Sequence, residues 1–336
     1  MASQRQSNIE LCRLASILLV MLVHTTAQTL GKDMSLGAYL LEGFSIIGVN
    51  VFILITGYFS TVPKKSSLIN LAFICLFWMV VKIVCRLLCH EPIGFKYLFF
   101  ITSSNWFIPS YIGLLFLTPI LNMFCNNVSK KTLWRCVLIL LFVEMWFDWL
   151  PPKPKIMIGT QLGHSVLSFV ILYLLARAIR LHGLPQWFKR NSPLVYIACS
   201  LVLGFIAYIG NLRGLNAQRY IFAYTNPFVI ISSVAFLMIF GQMSFQSKAI
   251  NYFAKSTLAI LLGHSAIHTL YANQFTYLYK YLSGIQVVVY WALAIIIVFS
   301  ASIAIDQLRI LFYNPIERLL KKRIKNNDIF ELPNSK

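Results

Sequence analysis

Apolar stretches of roughly 20 residues, each long enough to cross about 30 Å of hydrocarbon, recur from one end of this 336-residue chain to the other. Inside hydrocarbon the backbone has no water to bond, so each stretch must satisfy its own N–H and C=O groups, and a helix does so within the segment. Composition agrees: 58% of the residues are hydrophobic and only 12% charged, with a mean hydropathy of +0.73, which excludes an ordinary soluble domain. The expected fold is all-α, a polytopic transmembrane helical bundle of about ten spans. These fall near 9–30, 40–61, 68–90, 105–124, 133–150, 161–181, 193–212, 220–241, 257–279 and 284–312. Between them lie segments such as TVPKKSS, CNNVSKK, LPPKPK and HGLPQWFKRNSP, where Pro, Asn, Ser and Lys cluster as they do in loops. Residues 1–312 read as one membrane domain and 313–336 as a basic tail. The first apolar run has no small-residue cleavage site and carries Arg13, so it is expected to stay as the first span.

The net charge of +19 suggests nucleic acid until its distribution is considered. Of the 29 Lys and Arg residues, 19 fall in the N-terminal stub, the segments after spans two, four, six and eight, and the C-terminal region; nine fall on the other side, and the last is Arg13. Positive charge on alternate loops is the positive-inside signature, which puts both termini in the cytoplasm. The sequence RLLKKRIK then suits anionic headgroups, and no nucleic-acid partner is expected. Seven cysteines scattered through apolar runs make no disulfide framework, and no metal-ligand spacing is present. His264 and His268 stand one turn apart but lack a third ligand at suitable spacing.

The polar residues within the spans carry the chemistry. In RLASILLVMLVH, Arg13 and His24 are eleven residues apart, a helical offset of about 20° and about 16 Å, so they share one face. A charge in hydrocarbon needs a partner or a wet cavity. On one reading Arg13 snorkels and pairs with Glu10, and His24 bonds a neighbouring helix. On the other, His24 is a general base or nucleophile and Arg13 grips a phosphate or pyrophosphate. GVNVFILITGYFS ends the second span in a Thr56-Gly57-Tyr58 corner, where glycine permits a kink or a close helix approach. Trp106, in NWFIPSYIGLLFLTPILN, suits an interfacial aromatic belt or the lining of a sugar or acyl cavity. Glu144 and Asp148 share a face at i and i+4 near the outer end of the fifth span, where they would line an acceptor groove or mark the interface. His264, a second imidazole in an apolar run, is a further candidate, whereas His164 reads as solvated near the outer border.

Four of these stretches, in order, resemble the integral-membrane acyltransferase family 3. IELCRLASILLVMLVH resembles its opening Arg-(ten residues)-His signature, filled by Arg13 and His24; GVNVFILITGYFS its second-helix pattern; NWFIPSYIGLLFLTPIL its Trp-containing segment; and INYFAKSTLAILLGHSAI its late histidine segment, with His264 in the histidine position. Gly263, Leu261 and Thr56 depart from the residues common in the family at those places.

The resemblance implies an O-acyltransferase of the inner (cytoplasmic) membrane. It would move an acyl group, usually acetyl, from acyl-CoA on the cytoplasmic side to a hydroxyl of a cell-surface polysaccharide or its lipid-linked precursor. Acetyl-CoA would be a co-substrate, with no bound cofactor, and envelope-glycan assembly proteins would be possible partners. Arg13, Lys64 and Lys65 would meet the CoA phosphates, and His24 would act as base or acyl carrier. Asn50, Thr56 and Tyr58 are candidate donors to the oxyanion, and Trp106, Tyr58, Glu144 and His264 would face the substrate. An exporter of a surface glycan or its precursor is the alternative, since ten spans with polar residues near mid-membrane also describe a permeation path. No internal repeat relates the two halves, which speaks for the enzyme.

Overall fold

The structure, a computed structural model, describes residues 6–30, 35–95, 105–148, 159, 161–215, 218–267, 270, 281–282 and 285–323. Its main helices are α1 (Ser7–Leu30), α2 (Leu36–Ser45), α3 (Gly48–Tyr58), α4 (Lys65–Leu88), α5 (Phe107–Asn127), α6 (Lys130–Asp148), α7 (Val166–His182), α8 (Ser192–Leu212), α9 (Pro227–Gly241), α10 (Lys248–Phe253), α11 (Thr257–Ala266) and α12 (Ile285–Arg323). No strand occurs among the described residues. A helix lies in each of the ten apolar intervals. By length and composition, six segments among the described residues could cross a membrane: Ser7–His24, Leu36–Tyr58, Lys65–Leu88, Phe107–Asn127, Ser192–Leu212 and Val289–Leu319. The later part of the ninth interval, with His268, and the tail beyond Arg323 lie outside the described residues.

Local chemistry sets the helix ends. Ser35 caps α2 by accepting from the Ala38 N–H, Ser165 caps α7 by accepting from Ser168, and Asn226 caps α9, with Pro227 at the first turn where its missing N–H costs nothing. Gly183 ends α7 at φ 72°, a left-handed setting that glycine adopts freely. The second interval is two helices and not one, broken at Ile46–Ile47. α12 runs without interruption across residue 312; at 39 residues it is about 58 Å long, well over the hydrocarbon thickness.

The chain forms two compact units, Met1–Thr61 with Ser110–Ala254, and Val62–Pro109 with Lys255–Lys336. In the first, α8 packs on α2 and α9, α1 on α2 and α3, and α7 on α3 and α6. Gly48 makes the α1–α3 approach possible, since a β-carbon there would lie 2.7 Å from the Ser16 carbonyl oxygen and from Val20 Cγ2. The start of α1 is tied down by polar bonds: Ser7 Oγ donates to Gln246 Oε1 (3.0 Å), and Asn8 Nδ2 donates to the carbonyls of Phe240 (3.1 Å) and Met243 (2.9 Å). The outward side of α8 leaves Leu194, Ile197, Phe205, Ile206 and Ile209 exposed, an apolar face of the kind lipid covers. In the second unit α11 packs on α4 and α12.

Candidate functional site

α1 is helical through both Arg13 and His24, so the shared face expected from their spacing is present. Arg13 Nη1 donates to Glu10 Oε1 at 2.9 Å, one turn back; the arginine side chain is 31% exposed and the carboxylate 7%. Its other guanidinium donors meet no acceptor among the described residues. His24 is exposed. Between them on the same stripe, Ile17 and Val20 are buried, and Gly48 of α3 supports Ser16 and Val20 from behind. The structure therefore presents two polar ends of one packed stripe.

The other candidates divide between the units. Tyr58 and Glu144 belong with Arg13 and His24 in the first; Lys64, Lys65, Trp106 and His264 belong to the second. Glu144 is 1% exposed, closed between α6 and α7, where it accepts from Ser168 while Oε1 has no partner among the described residues. Asp148, one turn on, accepts from the Leu162 N–H at 3.1 Å. Asn50 is fully buried and donates to the Tyr224 carbonyl at 2.9 Å. Thr56 donates to Phe52 O at 3.0 Å, with its hydroxyl 3.5 Å from Tyr111 Oη.

Within the second unit, Lys64 and Lys65 are exposed at the start of α4, and Trp106 stands edge-to-face with Phe107 (centroids 6.1 Å apart). His264 is buried on α11, with Nδ1 3.2 Å from the Ile260 carbonyl. A carbonyl can only accept, so in this contact Nδ1 is the donor. Gly263, a departure from the family pattern, opens no space: a β-carbon there would lie 2.6 Å from Ser302 Oγ and 2.8 Å from Trp78 Cη2.

Two arginine sites become visible only in three dimensions. Arg177 is 5% exposed on α7, where Nη1 donates to Ser60 Oγ and Nη2 to Asn126 Oδ1 (2.8 Å). Asn122 Nδ2 donates to the Ser60 carbonyl (3.3 Å), and Tyr173 Oη donates to Asn122 Oδ1 (2.7 Å). Ser60 sits at φ 53°, a strained setting for a non-glycine residue, and these bonds hold it. Gly57 lets α3 and α7 meet, since a β-carbon would lie 2.6 Å from the Tyr173 carbonyl. The C-terminal ends of α3, α5 and α7 thus join around one guanidinium. Just outside, Arg180 Nη1 donates to Tyr58 Oη at 3.2 Å, with the guanidinium carbon 4.8 Å from the ring centroid. In the second unit, Arg309 is 4% exposed and forks onto Asp306, itself fully buried, with Nε–Oδ1 at 2.5 Å and Nη2–Oδ2 at 3.3 Å. Its Nη1 donates to Asn70 Oδ1 at 3.2 Å. Sequence spacing counts Arg177 and Arg309 only as loop charges. For Arg309 a signal existed: an aspartate three residues earlier, in an apolar run where a carboxylate must find a partner.

A family model described as an acyltransferase domain matches residues 6–307, nearly the whole described chain. The chain belongs to acyltransferase family 3. No curated protein and no solved structure matches it. Membership makes this protein a membrane acyltransferase with a multi-pass helical body. Among the described residues no group of three or more His, Cys, Asp or Glu side chains could hold a metal ion.

Proposed function

We propose that this acyltransferase moves an acyl group, acetyl in the first instance, from acyl-CoA to a hydroxyl of a cell-surface polysaccharide or its lipid-linked precursor. The proposal includes ten spans in the inner membrane with both termini cytoplasmic, as the charge distribution favours. One observation carries the reading. A guanidinium whose further donors meet no acceptor among the described residues and an imidazole occupy the two ends of one helix face, in a chain of acyltransferase family 3.

The roles follow from the groups. His24 takes the proton of the acceptor hydroxyl, and that oxygen attacks the thioester carbonyl. The C–S bond then breaks, and the CoA thiolate leaves and recovers the proton from the imidazolium. Imidazole suits this exchange because its ordinary pKa lies near neutrality. Arg13, positioned by Glu10, offers its remaining N–H groups to the donor, whose phosphates also suit the exposed Lys64 and Lys65. Tyr58, Trp106, Glu144 and His264 are proposed to serve the acceptor or the acyl group.

The test is His24→Ala in purified protein reconstituted in nanodiscs, with radiolabelled acetyl-CoA and envelope glycan as acceptor. General-base loss predicts a fall of about 10²–10⁴ in turnover with unchanged melting temperature. Undiminished transfer would remove His24 from the chemistry. Mass spectrometry of host surface glycans after deletion separates the rival: acetyl lost from intact glycan supports transfer, whereas loss of the glycan itself supports export.

A further inference from the structure

The joined ends of α3, α5 and α7 hold cations and no carboxylate. Residues 121–135 and 177–192 contain Lys130, Lys131, Arg135, Arg177, Arg180, Lys189 and Arg190, with no Asp or Glu. Three helix C-termini bring about half a negative charge each, which explains why a guanidinium is buried among them. Arg177 meets that demand from inside, where it donates to a serine hydroxyl and an asparagine carbonyl and stands beside the Cys125 thiol, with no ion pair among the described residues. Arg180 stands outside it, and its situation differs. It is exposed, yet fixed twice, by a hydrogen bond to Tyr58 Oη and by the face of the same ring. Its other donors have no acceptor among the described residues. Lys189 belongs to the same end of α7: Nζ lies 3.8 Å from where a β-carbon of Gly183, three residues after Arg180, would stand.

A charge that only sets topology needs no fixed geometry, because the positive-inside effect depends on charge count near the membrane. Immobilising an arginine on an aromatic ring instead prepares its planar fork, at the cost of rotamer freedom, for an anion with matching geometry. The chemistry that fits is a phosphate: a bidentate guanidinium, a nearby ammonium and a second guanidinium behind them.

We propose that Arg180, held by Tyr58 and accompanied by Lys189, is a binding point for a phosphate group, supplied by the CoA moiety of the acyl donor. This rests on the donor reading above and gives Tyr58 a more definite part, as the platform for Arg180. An anionic lipid headgroup offers the same chemistry, so the experiment separates the two sources.

The measurement is equilibrium binding of coenzyme A, and of 3′,5′-adenosine bisphosphate as a fragment without the thiol arm. It uses full-length protein in nanodiscs made either of phosphatidylcholine alone or with one-third phosphatidylglycerol. In neutral lipid, Arg180→Ala is expected to weaken both probes about tenfold. Arg180→Lys should weaken them by a smaller factor, and Tyr58→Phe, which keeps the ring and loses the hydroxyl, by about threefold. Arg180 is exposed, so the variants should elute and melt like the wild type. Equal binding by wild type and Arg180→Ala, in a wild type that does bind coenzyme A, overturns the site and leaves the donor reading standing. A wild type that binds no coenzyme A, but retains phosphatidylglycerol in an Arg180-dependent way, keeps the phosphate site with a lipid source and removes the donor reading. A wild type that binds neither overturns the site.

Discussion

Arg177 and Arg309 are both almost fully buried, one in each compact unit, and they are neutralised differently. Arg309 forks onto the Asp306 carboxylate, forming a neutral pair completed by Asn70. Arg177 has a serine hydroxyl and an asparagine carbonyl, with three helix ends around it and no ion pair among the described residues. The first arrangement cancels a charge within one helix and ties α12 to α4. The second keeps a formal positive charge at a junction whose outer surface carries more of the same sign. A buried ion pair belongs to architecture; a buried cation among neutral oxygens supports anion binding on the adjoining surface.

The sharpest way to break this contrast is to remove the carboxylate. Asp306→Ala leaves Arg309 buried with only Asn70, and loss of one partner of a buried pair costs about 3–5 kcal/mol. The expected result is a large drop in thermal stability in detergent, read by tryptophan fluorescence. Asp306→Asn should cost less, because it recreates at Arg309 the neutral-oxygen setting that Arg177 already tolerates. Equal stability of Asp306→Ala and wild type would show that the pair is not the constraint its burial implies.

Arg177→Met comes next in size. It removes two hydrogen bonds and strands the oxygens of Ser60 and Asn126 in a buried place, at about 1–3 kcal/mol. The strained Ser60 backbone would relax first, so limited proteolysis near the end of α3 should rise before global melting changes. Unchanged proteolysis there would separate Arg177 from the geometry of the Thr56–Tyr58 corner.

These residues also mark the limit of what the sequence discloses. The all-helical body is legible because hydropathy alone enforces it, and the Arg13–Glu10 pair because a three-residue offset on one helix is fixed geometry. The break at Ile46–Ile47 was not, since no Pro or Gly stands at the break itself to announce it. Glu144 reads from sequence as the deeper of two acidic residues that line a groove or mark the interface, and only the packing of α7 on α6 brings Ser168 to it as a hydrogen-bond donor. Arg177 is beyond sequence reasoning for a further reason. Its partners lie at 60 and 126, and only the meeting of three helix ends makes them neighbours.

The smallest effect tests the contrast from the opposite side. Asn126→Asp would give Arg177 a carboxylate within hydrogen-bond reach, 2.8 Å from Nη2 in the present geometry, and so impose on it the arrangement of Arg309. Stability should change by under about 1 kcal/mol, because the new attraction is offset by desolvating the carboxylate and by the negative ends of three helices. The electrostatic consequence should be felt one turn away. One positive charge fewer behind Arg180, felt by a solvent-exposed phosphate across several ångströms at a water-like effective dielectric of about 80, is worth about 0.6 kcal/mol and should weaken coenzyme A binding by about threefold. Binding that instead strengthens, or is indifferent to this charge while still sensitive to Arg180→Ala, would mean that Arg177 acts only as a fastener for the helix ends and adds nothing to the potential that an incoming phosphate meets.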